Sequence, residues 1–214
     1  MITAVVFDCD GVLVDSEPIN NEVLAALVTR AGLPTSVEDC ATRYMGRTTA
    51  ECVTEIEHHL GRRVGFDLAA EFDEEVRRRQ QGSLTAIPGV AALLDRLHTA
   101  GIPVCVASSG TPEEIALKLA VTGLDRFFGD HCYSASMVTR GKPAPDLFLL
   151  AADGIGVHPA ACVVIEDSPY GIAGAKAAGM TVIGYAAVAS ARTLHDAGAD
   201  HIITDMTHAD AVLA

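Results

Sequence analysis

The chain has 214 residues, half of them hydrophobic, and its 15 basic and 28 acidic side chains leave a net charge of −13. A chain of this length buries roughly 70% of its unfolded surface and needs neither a disulfide nor a metal to hold a core. The acidic balance argues against nucleic acid or an anionic membrane surface as the main partner, because both demand a positive face. The apolar runs are short of the roughly 18 residues of a membrane-spanning helix. Asp8 and Asp10 come almost at once, with no basic start, unlike a signal peptide. Cys9, Cys40, Cys52, Cys105, Cys132 and Cys162 are widely spaced and form no CxxC pair. That spacing predicts reduced thiols, no zinc site, and a cytoplasmic location.

In chain order, residues 2–7 form a continuous apolar run bounded by Asp8, the pattern of a strand buried on both faces. Equivalent runs follow at 103–107, 162–165 and 181–185, with a shorter one at 201–203. Helical patterns lie between them at 90–100, 113–121, 146–153 and 172–178. Short buried strands alternating with helices predict an α/β fold, a Rossmann-like parallel sheet wound by βα units.

The stretch from about 15 to 83 breaks the alternation. Ile19, Val23, Leu24, Leu27 and Val28 share one helical face, and further helical patterns occupy 49–60 and 67–81. This predicts an α-helical cap over 15–82, inserted after the first strand into a core of 1–14 and 83–214. Its two connections, near 14–17 and 82–87, would make a hinge. Arg77, Arg78 and Arg79 form the one basic run, expected to be a solvated helix face.

Ligands of an open parallel sheet bind outside the carboxyl ends of the strands. The first strand run here ends in Asp8-Cys9-Asp10-Gly11, the second in Ser108-Ser109-Gly110 and the third in Glu166-Asp167-Ser168. Any one of these reads as a turn; at successive strand ends they converge on one edge. Asp8, Glu166 and Asp167 would crowd negative charge there, which calls for a cation. All-oxygen donors point to a hard ion, Mg²⁺. Gly11 lets the chain turn after Asp8, so that one aspartate can attack while the other handles a proton. Ser108, Ser109 and Gly110 offer a hydroxyl and backbone N–H groups to a phosphate. Thr111 and Glu114 have capping-box spacing, with Pro112 suited to the first helical position. Lys142, in the proline-stiffened Gly141-Lys142-Pro143-Ala144-Pro145, is expected to point inward and balance the charge.

These residues resemble the haloacid dehalogenase superfamily of phosphotransferases, in the branch of β-phosphoglucomutase and small sugar-phosphate phosphatases. Asp8-x-Asp10-Gly11-Val12-Leu13-Val14-Asp15-Ser16 matches the first motif, and Ser108, Lys142 and Glu166-Asp167 match the other three in order. The resemblance implies that Asp8 attacks phosphorus and becomes a phosphoaspartate. It implies that Asp10 protonates the leaving alcohol and then activates water. Mg²⁺ would be held by Asp8, the Asp10 carbonyl and Asp167, with Glu166 close by or coordinating, and Ser108 and Lys142 would hold phosphate oxygens. The dehalogenases proper lack an aspartate at the position of Asp10, so phosphorus chemistry is expected.

The cap should choose the substrate, through candidates Asn20, Arg43, Gly46, Arg47, Thr48 and Thr49. β-Phosphoglucomutase has a histidine where this chain has Asn20, which disfavours a mutase. The expected activity is hydrolysis of a small phosphorylated metabolite, a sugar or sugar-acid phosphate, by a monomer without nucleic acid or membrane. A phosphomutase and a non-catalytic phosphometabolite-binding regulator remain as alternatives, the latter weakened because binding alone would not require Asp10.

Overall fold

The computed structural model describes residues 3–44 and 49–213. In chain order these form β1 (Ala4–Phe7), α1 (Glu17–Arg30), α2 (Val37–Tyr44), α3 (Thr49–Leu60), α4 (Leu68–Ser83), α5 (Val90–Thr99), β2 (Val104–Ser108), α6 (Pro112–Thr122) and β3 (Cys132–Ser134). The remainder is α7 (Asp146–Gly154), β4 (Cys162–Glu166), α8 (Pro169–Ala177), β5 (Thr181–Tyr185), α9 (Ala191–Asp196), β6 (His201–Ile203) and α10 (Asp210–Leu213). The chain divides into two compact units, Met1–Asp15 with Thr85–Ala214, and Ser16–Leu84. Among the described residues, no helix is long and apolar enough to cross a membrane.

The first unit is built on six parallel strands in the order β3-β2-β1-β4-β5-β6. Strand β1 is central because every one of its side chains is apolar and buried, the pattern a strand covered on both faces requires. Phe7 is in register with Val106 of β2 and Ile165 of β4. Asp8, just beyond β1, and Glu166, the last residue of β4, therefore sit together at one edge of the sheet, where the strand order reverses and crossover helices diverge. One core layer packs Ala4, Val6, Leu147, Phe148, Val164, Ile172 and Val182 together. Cys105 and Cys162 belong to that layer as small hydrophobes.

Strand β3 carries no apolar run; Cys132, Tyr133 and Ser134 are recruited by pairing with Val106, Ala107 and Ser108. Helix α8 begins at Pro169, earlier than its apolar pattern suggests, because the Ser168 hydroxyl accepts the Gly171 N–H and caps it. The segments leading out of and back into this unit pair with each other: Asp15 N–H donates to Thr85 O at 2.9 Å and Ile87 N–H to Leu13 O at 2.9 Å.

Among the described residues, the second unit comprises four helices. Helix α1 buries Ile19, Val23, Leu24, Leu27 and Val28, while α3 contributes Cys52 and Ile56 and α4 contributes Leu68. Arg78 and Arg79 both bond Glu75, and Arg79 also reaches Glu22 at 3.1 Å, so this part of the basic run is spent on ion pairs along helix surfaces. Helix α2 has only Cys40 and Tyr44 buried, too few apolar positions to register as a periodic pattern in the sequence.

Strand β5 shows how closely the layers meet. A Cβ on Gly184 would lie 2.9 Å from Ile202 Cδ1 and 3.2 Å from both Ala199 Cβ and Leu194 Cβ. Gly184→Val should therefore destabilise the protein by about 1–3 kcal/mol through overpacking, measured as a lower urea midpoint with an unchanged slope. An unchanged midpoint would show that the layer has room to spare.

Candidate active site

The turn after β1 is tight. Gly11 N–H donates to Val14 O at 2.9 Å, and the Leu13 and Val14 N–H groups both donate to Cys9 O. Gly11 has φ +78°, and a Cβ there would fall 2.1 Å from Asp167 Oδ2. Glycine is needed at this position twice over, for the left-handed backbone and to let the Asp167 carboxylate lie against the turn.

Asp8 is 7% exposed. Lys142 reaches inward, as its stiff loop suggested, and its Nζ donates to Asp8 Oδ1 at 2.5 Å and to Glu166 Oε1 at 2.9 Å. Glu166 is 1% exposed and fully engaged: Oε2 accepts the Asp167 and Ser168 N–H groups at 2.8 and 3.2 Å, while Oε1 accepts the Ser168 hydroxyl at 3.1 Å besides Lys142. It thus orients both the lysine and the loop that carries Asp167. Gly171 makes room for it, since a Cβ there would fall 1.5 Å from Glu166 Oε1.

The electrostatics follow from burial. Desolvation pushes the Asp8 carboxyl up to about 7; Lys142 works against this and the Glu166 charge adds to it. Burial acts to lower the Lys142 pKa, but the charges of Asp8 and Glu166 prevail and hold it above the ordinary lysine value. One ammonium therefore bridges two carboxylates, Asp8 and Glu166. One oxygen each of Asp8, Glu166 and Asp167 lies within 4.8 Å of the others. This all-oxygen, net-negative set fits a small hard dication.

The phosphate-binding candidates lie at the end of β2. Ser108 is 2% exposed, whereas Ser109 is exposed. The expectation of an available N–H group at Gly110 needs correcting. Gly110 N–H donates to Ser108 Oγ at 3.1 Å and Thr111 N–H to Glu114 Oε2 at 2.8 Å, the latter closing the capping box of α6. Because Ser108 Oγ accepts from the backbone, its own proton is left to donate. Ser134, the cross-strand neighbour of Ser108, donates to Gly110 O at 2.6 Å and holds the loop.

Sequence reasoning missed Lys118. Its Nζ donates to Asp10 Oδ1 at 2.8 Å and Oδ2 at 2.7 Å, and the residue is 8% exposed on α6. Burial opposes its charge, but Asp10 outweighs this and keeps its pKa raised. The available signal was its spacing, three residues after Ile115 and one before Leu119, on a buried helical stripe. Among the cap candidates, Asn20 is half-buried in α1, Arg43 is exposed in α2 and Thr49 opens α3. Gly46, Arg47 and Thr48 lie outside the described residues.

With this geometry in view, the chain belongs to the haloacid dehalogenase-like hydrolase family, whose profile matches residues 2–179. It is 34% identical over 192 residues to hexitol phosphatase A of Escherichia coli K12, covering 89% of this chain and 86% of that protein. It is 31% identical over 193 residues to 6-phosphogluconate phosphatase of the same organism, covering 87% and 83%. A solved relative, a hydrolase of this family from Deinococcus radiodurans with bound phosphate and sodium, superposes with a TM-score of 0.88 at 34% identity, covering 100% of this chain and 95% of that one.

Two outcomes are expected from the charge cluster. Alanine normally favours a helix over glycine, yet Gly171→Ala should lower kcat on the order of a hundredfold by displacing Glu166 and, through it, Lys142. Activity near wild type in a normally folded variant would contradict this. Asp8→Asn should raise the melting temperature in chelator at pH 8, because it removes a buried charge while leaving the Lys142–Glu166 pair intact. The raised Asp8 pKa sets the window. Between about pH 4 and 7 the folded protein keeps a proton that the unfolded chain has lost, so wild type loses stability as pH rises and bears the full cost above 7. The advantage of Asn should accordingly vanish near pH 4; an Asp8→Asn protein that melts lower at pH 8 would contradict the assignment.

Proposed function

We propose that this phosphoric monoester hydrolase releases inorganic phosphate from a sugar or sugar-acid phosphate through a phosphoaspartate on Asp8, with Mg²⁺ as cofactor. The observation that carries the reading is the placement of two aspartates on one turn with separate lysines: Asp8 on Lys142 and Asp10 on Lys118. One carboxylate is thereby kept for attack and the other for proton handling.

In this scheme the Asp8 oxygen forms a bond to phosphorus as the bond from phosphorus to the alcohol oxygen breaks. Asp10 gives its proton to the departing oxygen, because an alkoxide is a poor leaving group without one. Asp10 then takes a proton from water as the water oxygen attacks phosphorus and the Asp8 carboxylate leaves. Ser108 and Lys142 donate to the phosphoryl oxygens, where charge accumulates in the transition state. Asp8, Asp167 and the Asp10 backbone carbonyl would hold Mg²⁺. Once bound, the ion supplies the positive charge that lets an anionic carboxylate meet an anionic phosphate. Glu166 serves by fixing Lys142 and the Asp167 loop.

The substrate class is supported by the names of the hexitol and 6-phosphogluconate phosphatases, which denote a phosphorylated polyol and a phosphorylated sugar acid. Hydrolysis is favoured over transfer within one sugar because Asn20 has no charge to change. It therefore cannot couple a cap to Asp10 as a histidine could.

The test is a panel of phosphorylated metabolites assayed for free phosphate, with β-glucose 1-phosphate plus a bisphosphate activator followed for the 6-phosphate. Phosphate release from polyol, sugar or sugar-acid phosphates is expected. It should be abolished by Asp8→Asn or chelation, restored by Mg²⁺, and not restored by Ca²⁺, which takes more ligands at longer distances. Turnover within tenfold of wild type in Asp8→Asn, full activity after chelation, or efficient isomerisation with little free phosphate would each defeat the reading.

A further inference from the structure

We propose that Lys118 is the positioning residue of the proton-handling carboxylate, holding Asp10 through both half-reactions and tying it to the phosphate-binding loop. The inference rests on the reading of Asp10 as acid and base given above. Lys118 side-chain exposure is 10%, against 40% for Asp10, and the lysine engages both carboxylate oxygens at 2.8 and 2.7 Å. Lysine is seldom buried without a partner. As a source of stability the pair is unconvincing, because a well-packed apolar side chain does as well at such a position. Its value lies in where it holds the carboxylate.

Helix α6 starts immediately after Ser108-Ser109-Gly110, and its first turn is locked by the Thr111–Glu114 capping box with Pro112 at the first helical position. Ser108 and Lys118 are therefore carried by one rigid piece of chain. A phosphate oxygen set by Ser108 and a carboxylate set by Lys118 keep a constant relation, which general acid catalysis requires within hydrogen-bond reach. The bonding also suits both protonation states. Ionised Asp10 gives both oxygens to Nζ. Protonated Asp10 keeps its carbonyl oxygen on Nζ and turns its O–H towards the leaving oxygen. No proton passes to or from the lysine. Lys142, occupied with Asp8 and Glu166, attends to the nucleophile.

The test compares kcat/KM, which reports formation of the phosphoaspartate, for sorbitol 6-phosphate and p-nitrophenyl phosphate in wild type, Lys118→Met, Lys118→Gln, Asp10→Asn and the Asp10→Asn/Lys118→Met double variant. The alkyl leaving group needs a proton and the aryl group needs little help. Lys118→Met and Lys118→Gln should therefore lose about tenfold or more on sorbitol 6-phosphate but stay within about threefold on p-nitrophenyl phosphate. The double variant should be no worse than Asp10→Asn alone, since a positioning residue has nothing left to position. Equal losses on the two substrates, no loss on the alkyl substrate, or additive losses in the double variant would overturn the proposal. If Asp10→Asn shows the alkyl-specific loss and both Lys118 variants lack it, Lys118 alone is wrongly assigned. If Asp10→Asn itself lacks the split, the acid–base reading of Asp10 falls and this proposal falls with it.

Discussion

A carboxylate that folding removes from water must be compensated, and much of this site's construction answers that constraint at Asp8. The residue sits past the end of a fully apolar central strand, where little solvent offsets its charge. Lys142 answers part of the need and is itself oriented by Glu166. Glu166 in turn spends its remaining lone pairs on the Asp167 and Ser168 backbone and the Ser168 hydroxyl. The constraint propagates to residues with no charge at all. Gly171 leaves space for Glu166 and Gly11 for Asp167, so two positions that look like ordinary turn and helix glycines are demanded by carboxylates elsewhere in the chain. In the proposed role of Asp8 as nucleophile this would help, because water that would solvate the carboxylate must otherwise be shed before attack.

The second aspartate is treated differently. Asp10 is two residues away but remains partly exposed and is tied to Lys118 of helix α6. The tight backbone of the Gly11 turn is what allows neighbours in sequence to be assigned to separate partners. A nucleophile and a proton carrier placed in one hydrogen-bonded network would compete for a single cation. Here one lysine comes from α6, to Asp10, and the other from the loop before α7, to Asp8.

Much of the core was legible in the sequence because buried parallel strands announce themselves as apolar runs and their polar ends mark the working edge. Asp8, Ser108, Glu166 and Asp167 each follow directly from that rule. Lys142 was legible for another reason: two prolines just after the lysine, Pro143 and Pro145, confine where its backbone goes. Strand β3 escaped notice because Cys132, Tyr133 and Ser134 have no pattern of their own and become a strand by pairing with β2. Lys118 escaped because a lysine in a helix ordinarily faces water, and only the three-dimensional position of Asp10 gives it a reason to be buried. The glycines beside Glu166 and Asp167 carry no local sign of their purpose, since what fills their missing side-chain volume comes from elsewhere in the sequence. The expectation of an open N–H at Gly110 failed because a local side chain, the Ser108 hydroxyl, claimed it first.

The sheet order also governs how this protein must come into being. Val5 finds its ladder partners at Val104 and Val163, so both edges of the central strand are completed by residues on the order of a hundred or more positions away. The four helices of Ser16–Leu84 intervene before the first partner is reached. Local helical structure can therefore form while β1, apolar on every side chain, still has unpaired backbone. Long-range parallel pairing of this kind is slow and leaves a sticky segment waiting. The antiparallel contacts of Leu13 and Asp15 with Ile87 and Thr85 bring the chain back beside β1 before β2 begins, shortening the effective loop that β2 must close. The bonds of Leu13 with Ile87 and of Asp15 with Thr85 thus also limit the time β1 spends exposed to other chains.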